Sequence, residues 1–370
     1  MYLVRGLDDW EVAGVIQQLG SSDGLVHALC RVRFPWISRV MPENLVRRML
    51  EKDFRNIGSV KDFQGVLVKY VNYLMKSTSD GLSCSGLENV VKNGAGKIFV
   101  SNHRDIVLDA TLVGYELYTS GHGFTRGGFG SNLASIPEVA AILRLSGGFI
   151  IPRGVKGRAL YDAMHEVSSY IDDVVKQGGL VWIAQREGRA KEGIDSTNPA
   201  VIKTLHLSSK DSLSLDQFVG SREIVPVAIS YEWDPCDVMK AKEVQVTKQT
   251  GKYSKMKGED EASMLAGVLG RKGRVHVAFG KPLSGNFVDY EAVAGAIDGQ
   301  IHDLYHVWPS NVAATFMLRG ERFDGCDELE KRMQGLPDGS KDYFLNLYAN
   351  PLQRKLSRPP ERGVSQLPPS

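Results

Sequence analysis

The chain has 370 residues, 42% hydrophobic and 24% charged, the make-up of a folded globular protein with room for one large domain or two ordinary ones. Its 45 basic residues nearly balance 43 acidic ones, giving a net charge of +2. That balance argues against a nucleic-acid binder, which carries a basic footprint, and it requires any anion site to be local.

The opening residues, MYLVRGLDDWEV, turn acidic too early for a signal peptide and lack its apolar stretch. Residues 1–90 read as a helical region, with apolar residues three or four apart predicting helices over 44–54 and 63–75. Pro42 sits where the first of these can begin. Residues 23–41 mix Arg31, Arg33 and Arg39 with Phe34 and Trp36. They fit either a helix and turn packed on the main domain or a stretch resting on anionic lipid with its rings at headgroup level.

From about residue 95 to 285 the rhythm becomes strand, helix, strand. Short apolar runs at 97–100, 148–151, 180–184 and 224–229 predict buried strands, and the alternation of Val275, Val277 and Phe279 predicts a strand with one buried face. Helical spacing follows the first run over 108–118 and the second over 160–174. The expected fold is therefore α/β, a central mixed sheet flanked by helices, with a helical region before it. Residues 240–257 are charged without a strong period and read as an exposed excursion; the end, from Pro351 onward, reads as a disordered tail. The domain boundaries expected are 1–90 for the helical region, 91–310 for the α/β domain and 311–370 for an extension. No apolar run approaches the ~20 residues that span a bilayer, so the chain is expected to lie on a membrane at most. Cys30, Cys84, Cys236 and Cys326 are widely spaced, which supports neither a disulfide framework nor a zinc site and suits reduced thiols in the cytoplasm.

Three segments carry candidate chemistry. In IFVSNHRDIVLDATL a strand gives way to a helix around Asn102 and His103, the mouth of a sheet where α/β proteins bind ligands. An imidazole takes a proton near neutral pH, and a carboxylate can fix its tautomer; Asp105 and Asp109 are the candidates. GGFIIPRG and VWIAQREGRAKEG each run from an apolar strand into glycine and basic side chains, Arg153, Lys156 and Arg158 in one, Arg186, Arg189 and Lys191 in the other. Guanidinium forks match phosphate oxygens, and Glu187 among them can orient them; a solvated charged loop is the plain alternative. EIVPVAISYEWD holds Pro226, which marks an edge, a bulge or a strand start, with Tyr231, Glu232 and Trp233 at its far end read as structural. Other motifs fail: KNGAGK has Val91 where a P-loop needs glycine, GGFGSNL ends on Leu133, and no G-x-S-x-G elbow exists.

In order and spacing these segments resemble the four motif blocks of the glycerol-3-phosphate and lysophosphatidate acyltransferases. SNHRDIVLD resembles the first block, with Asp109 one place later than the family's aspartate; GGFIIPRG the second, with Arg153; REGRAKEG the third, one residue short, with Glu187, Gly188 and Arg189; and IVPVAISYE the fourth, with Pro226. RVHVAFGKPL resembles the family's closing strand. The resemblance implies transfer of a fatty acyl group from coenzyme A or acyl carrier protein to a hydroxyl of glycerol-3-phosphate or a lysophospholipid, in phospholipid biosynthesis. It implies His103 as general base with Asp109, or Asp105 in its place, as partner. It assigns the substrate to Asn102, Arg104, Arg153, Glu187, Gly188, Arg189 and Pro226. No metal or organic cofactor is implied, and the expected place is the inner face of the plasma membrane, peripherally. A different lyso-lipid acceptor, a thioesterase-like hydrolase and a non-catalytic lipid- or phosphate-binding module are the alternatives.

Overall fold

The apolar runs of the middle of the chain assemble into one seven-stranded sheet. The structure is a computed structural model that describes residues 4–20, 22, 23 and 43–357. Of the stretch 23–41 only Asp23 is among them, and residues 358–370 and Pro42 also lie outside the described residues.

The strands are β1 (Gly81–Ser85), β2 (Lys97–Ser101), β3 (Arg126–Gly130), β4 (Phe149–Ile151), β5 (Leu180–Ala184), β6 (Ile224–Tyr231) and β7 (Arg274–Phe279), in the order β1-β7-β6-β2-β5-β3-β4. β6, β2, β5, β3 and β4 run parallel; β7 is antiparallel to β6 and pairs in parallel with β1. The sheet is therefore mixed. The helices are α1 (Asp9–Gly20), α2 (Glu43–Phe54), α3 (Val60–Thr78), α4 (Leu108–Thr119), α5 (Pro137–Leu145), α6 (Gly157–Lys176), α7 (Pro199–His206), α8 (Leu215–Arg222), α9 (Asp237–Thr250), α10 (Glu259–Leu269), α11 (Tyr290–Leu304), α12 (Pro309–Met317), α13 (Cys326–Arg332) and α14 (Asp338–Leu356).

Side chains alternate across a strand, so each face of the sheet has its own core. Phe99, Trp182, Val225, Val227, Ile229, Val275 and Val277 pack on one face with residues of α3 and α4. Ile98, Val100, Val181, Ile183, Ile224 and Ala228 pack on the other with residues of α6, α7, α8 and α11. A sheet covered on both faces is built from near-continuous apolar runs, as at 224–229. The first three helices share a smaller core through Val12, Leu19, Phe54 and Phe63.

Four readings of the sequence change. β1 (GLSCS) and β3 (RGGFG) are strands that carry too few apolar side chains to be recognised. Pro226 lies in a central strand, not at an edge or a strand start. Its carbonyl accepts the N–H of Gly280, just past the end of β7, and the N–H it lacks would point the same way, where the ladder stops. The stretch 240–257 is an exposed excursion only in part: α9 buries Lys240 and Glu243, with Glu243 paired to Lys191, while from Val246 on the stretch is exposed except at Tyr253. Finally, residues 351–356 are the last turns of α14, which accommodates Pro351, rather than tail.

The chain divides into two compact units. The first gathers the described residues of Met1–Arg189, Ser196–Cys236 and Lys255–His306; the second gathers those of Ala190–Asp195, Asp237–Ser254 and Val307–Ser370. The residues of the candidate site lie in the first. No helix among the described residues is long and apolar enough to cross a membrane.

Candidate active site

Because β2, β5, β3 and β4 are parallel neighbours, their carboxyl ends open on one edge of the sheet. His103 follows β2, the loop of Glu187, Gly188 and Arg189 follows β5, and Arg153 follows β4. Segments far apart in sequence are thus brought to the mouth where α/β sheets bind ligands.

The turn that presents His103 is held by its neighbours. Asn102 is fully buried and its amide extends the β2 ladder, donating to the Ile229 carbonyl at 2.9 Å and accepting the Ile229 N–H at 2.7 Å. Assigned to the substrate from the sequence, Asn102 instead spends its polar atoms on strand β6. Trp182 of β5 donates to Ser101 at 3.0 Å and meets the imidazole edge to face at 6.0 Å, so an aromatic wall backs the ring.

His103 Nδ1 lies 2.9 Å from Asp109 Oδ2, and its side chain is 13% exposed while Asp109 is fully buried. The same oxygen accepts the backbone N–H groups of Arg104 and Asp105 at 2.6 and 2.9 Å. Its twin, Oδ1, accepts the Tyr231 hydroxyl at 3.0 Å. A carboxylate only accepts, so the shared proton sits on Nδ1 and Nε2 is left as the basic nitrogen.

Asp105 has another task. Its Oδ1 accepts the N–H groups of Val107 and Leu108 at 2.9 and 2.8 Å, satisfying donors at the start of α4 as a capping side chain does. Burial, and next the charge of Asp109, push its carboxyl above the usual range, against the pull of the Leu108 and Val107 N–H groups and Arg189. Of the two carboxylates, Asp109 is the one bonded to the imidazole. Arg104 is buried, its guanidinium 5.6 Å above the Tyr305 ring, so it faces inward rather than toward the mouth. Pro226 is buried inside β6 and is not brought to the mouth either.

Arg153 is part-exposed and pairs with Glu187 at 3.5 Å. Its guanidinium crosses the end of β3 at Gly130, where an added Cβ would stand 2.3 Å from Nε. Only glycine leaves that path open. Arg189 donates to Ser263 of α10 at 2.6 Å, and a Cβ on Gly267 of the same helix would stand 2.0 Å from Asp105 Oδ2. Helix α10 therefore packs closely beside the site, and Asp260 at its start accepts from Asn132 after β3. Arg153, paired with Glu187, and Arg189, bonded to Ser263, thus follow strands that end on the same edge of the sheet as the strand before His103; guanidinium groups can hold an anion, and an imidazole can take a proton. Among the described residues no group of three or more His, Cys, Asp or Glu is placed to hold a metal ion.

Sequence reading missed Tyr231, Trp182, Gly130 and Ser263. Tyr231 closes the fourth motif block, but its hydroxyl finds Asp109 only after β6 is laid beside β2.

A family model described as acyltransferase matches residues 81–230, a span that runs from β1 to the penultimate residue of β6. A glycerol-3-phosphate acyltransferase of Pseudomonas putida (strain GB-1) is 25% identical over 270 residues, 70% of this chain and 31% of that protein. One from Xanthomonas axonopodis pv. citri (strain 306) is 34% identical over 96 residues, 26% of this chain and 10% of that protein. The chain thus spans a third or less of the length of these curated relatives. The crystal structure of the 1-acyl-sn-glycerophosphate (LPA) acyltransferase PlsC from Thermotoga maritima aligns with a TM-score of 0.38 and 17% identity, over 75% of this chain and 92% of that one.

Proposed function

We propose that the chain is an acyltransferase, as the match of its residues 81–230 to the acyltransferase family model supports, and that it moves a fatty acyl group from a thioester to a hydroxyl of glycerol-3-phosphate or a lysophospholipid. The observation that carries the reading is the 2.9 Å bond from His103 Nδ1 to a buried Asp109 whose other acceptor sites are filled.

His103 Nε2 takes the proton of the acceptor hydroxyl as its oxygen attacks the thioester carbonyl. A tetrahedral oxyanion forms; its collapse breaks the carbon–sulfur bond, and the imidazolium gives its Nε2 proton to the departing sulfur, which leaves as the thiol and restores neutral His103. Asp109 stabilises that imidazolium, and general-base help of this kind is worth ~10²–10⁴ in rate. Arg153 and Arg189 hold the acceptor phosphate so that its hydroxyl reaches Nε2. Backbone N–H groups of the Glu187–Gly188 loop are the candidate oxyanion donors. The thioester, of coenzyme A or acyl carrier protein, is already activated and needs no cofactor. A lysolipid acceptor is met at a membrane surface, so the proposal includes peripheral attachment to a membrane on the cytoplasmic side.

The test offers labelled palmitoyl thioesters of coenzyme A and of acyl carrier protein in parallel with glycerol-3-phosphate, lysophosphatidate and other lysolipids. Label should pass to a phosphate-bearing acceptor. Thiol release that needs no acceptor would mean a hydrolase, and no turnover with any pair would leave only a binding module.

A further inference from the structure

Tyr231 stands last in β6, 5% exposed, with its ring in the apolar core and its hydroxyl on the far oxygen of the carboxylate that serves His103. Asp109 Oδ2 is already engaged by His103 and two backbone N–H groups, so Tyr231 supplies the bond to Oδ1. A buried carboxylate needs such donors to remain charged.

We propose that Tyr231 is a positioning residue for acyl transfer, fixing the orientation and the charge of Asp109 and through it the basicity of His103. The proposal rests on the reading of His103 as general base. It concerns a residue that touches neither the acceptor nor the thioester.

The phenol is suited to the work. Burial, then the charges of Asp109 and Asp105, hold its pKa well above the usual value, so it stays a donor at any working pH. Asp234 is the other charged group that acts on Tyr231, and neighbouring Asp105 is itself faced by Arg189 and Lys272. None of these substitutes for a hydrogen bond to Oδ1. Without the phenol, Asp109 loses the hydrogen-bond donor of its Oδ1 and its negative charge is less offset. It then binds the Nδ1 proton more tightly and holds the imidazolium longer, which raises the pH at which His103 becomes available as a base.

The experiment reads that pH directly. The imidazole of His103 is followed by NMR in protein labelled with 15N-histidine, its signal assigned by loss in His103→Gln, for wild type and Tyr231→Phe. Tyr231→Phe should raise the His103 titration by about half to one pH unit, a three- to tenfold effect, and move the acidic limb of kcat/KM by the same amount. Near neutral pH kcat should fall about three- to tenfold, with each KM changing less than about twofold. Replacing Tyr231 by 3-fluorotyrosine, a stronger donor of nearly the same shape, should shift the titration the opposite way, which keeps the test decisive should the phenylalanine protein not fold. An unmoved His103 titration in either protein overturns the proposal. Full activity in His103→Gln would instead overturn the general-base reading, whatever the titration shows.

Discussion

Asp105 and Asp109 are four residues apart and equally buried by eye, yet the residues around them assign opposite tasks. Asp109 gathers four donors, whereas Asp105 binds two N–H groups at a helix start and has its other oxygen pressed toward α10. Asp109→Asn should lower kcat by at least about tenfold to a hundredfold, because an amide cannot serve the imidazolium as a carboxylate does. Asp105→Asn keeps an acceptor for Val107 and Leu108 and should hold most of the turnover. Its stability carries the sharper forecast. The folded-state carboxyl of Asp105 is raised by burial and by Asp109, so above the ordinary carboxylate pKa the native state binds a proton that the unfolded chain has released. Stability from this group is then present at low pH and is lost as pH rises through the folded pKa. Urea unfolding from pH 4 upward should show Asp105→Asn gaining on wild type; a constant gap would refute the assigned shift. The pair was legible in the sequence only as two candidates. Choosing between them needs the turn at Arg104, whose backbone N–H faces Asp109.

At the scale of elements, the strands and helices of the sheet domain follow from apolar period, and 180–184 matches its strand end for end. The strand that was missed has a physical cause. β3 is Arg-Gly-Gly-Phe-Gly, with little side chain to show a period, because its last glycine gives the Arg153 guanidinium a place to lie. The missing Cβ is thus part of the site and hid the strand. Gly130→Ala should displace the end of a flexible side chain, at small cost to folding, and so raise the KM for a phosphate-bearing acceptor as Arg153→Ala does, with kcat nearly kept. A normal KM in both variants would remove Arg153 from acceptor binding. The charged start of α9 was missed for another reason: it buries Lys240 and Glu243, and pairing of such charges through the fold leaves no apolar stripe to read.

For the whole molecule, the site depends on α10 and β7 being tied to the helical region before the sheet. Lys272 makes that tie. Its ammonium is fully buried and donates to Thr78 Oγ1 of α3 at 2.9 Å and to the carbonyls of Val268 and Gly270 at 2.9 and 2.8 Å. Burial lowers its pKa to about 8 from 10.5. Below about 8 the charge is present in both states and its burial cost is felt in full; between about 8 and 10.5 the native state sheds the proton first, and that cost is relieved. Unfolding free energy should therefore rise with pH in that window relative to Lys272→Met, by a total of about 3 kcal/mol, and parallel pH profiles for the two proteins would contradict it. No sequence pattern announces such a lysine, since its partners are main-chain carbonyls and a threonine from another helix. The broad plan, a mixed sheet with helices on both faces after a helical region, was legible because it depends on apolar burial alone.

The activity tests turn on one imidazole at the mouth of the sheet performing the proton transfer. The most direct measurement is the rate of [14C]palmitoyl transfer to glycerol-3-phosphate and to lysophosphatidate by wild-type and His103→Ala protein, with near-ultraviolet circular dichroism recorded on both. In His103→Ala kcat should fall by ~10²–10⁴ with an unchanged spectrum. A folded His103→Ala protein that still transfers the acyl group at the wild-type rate would contradict it.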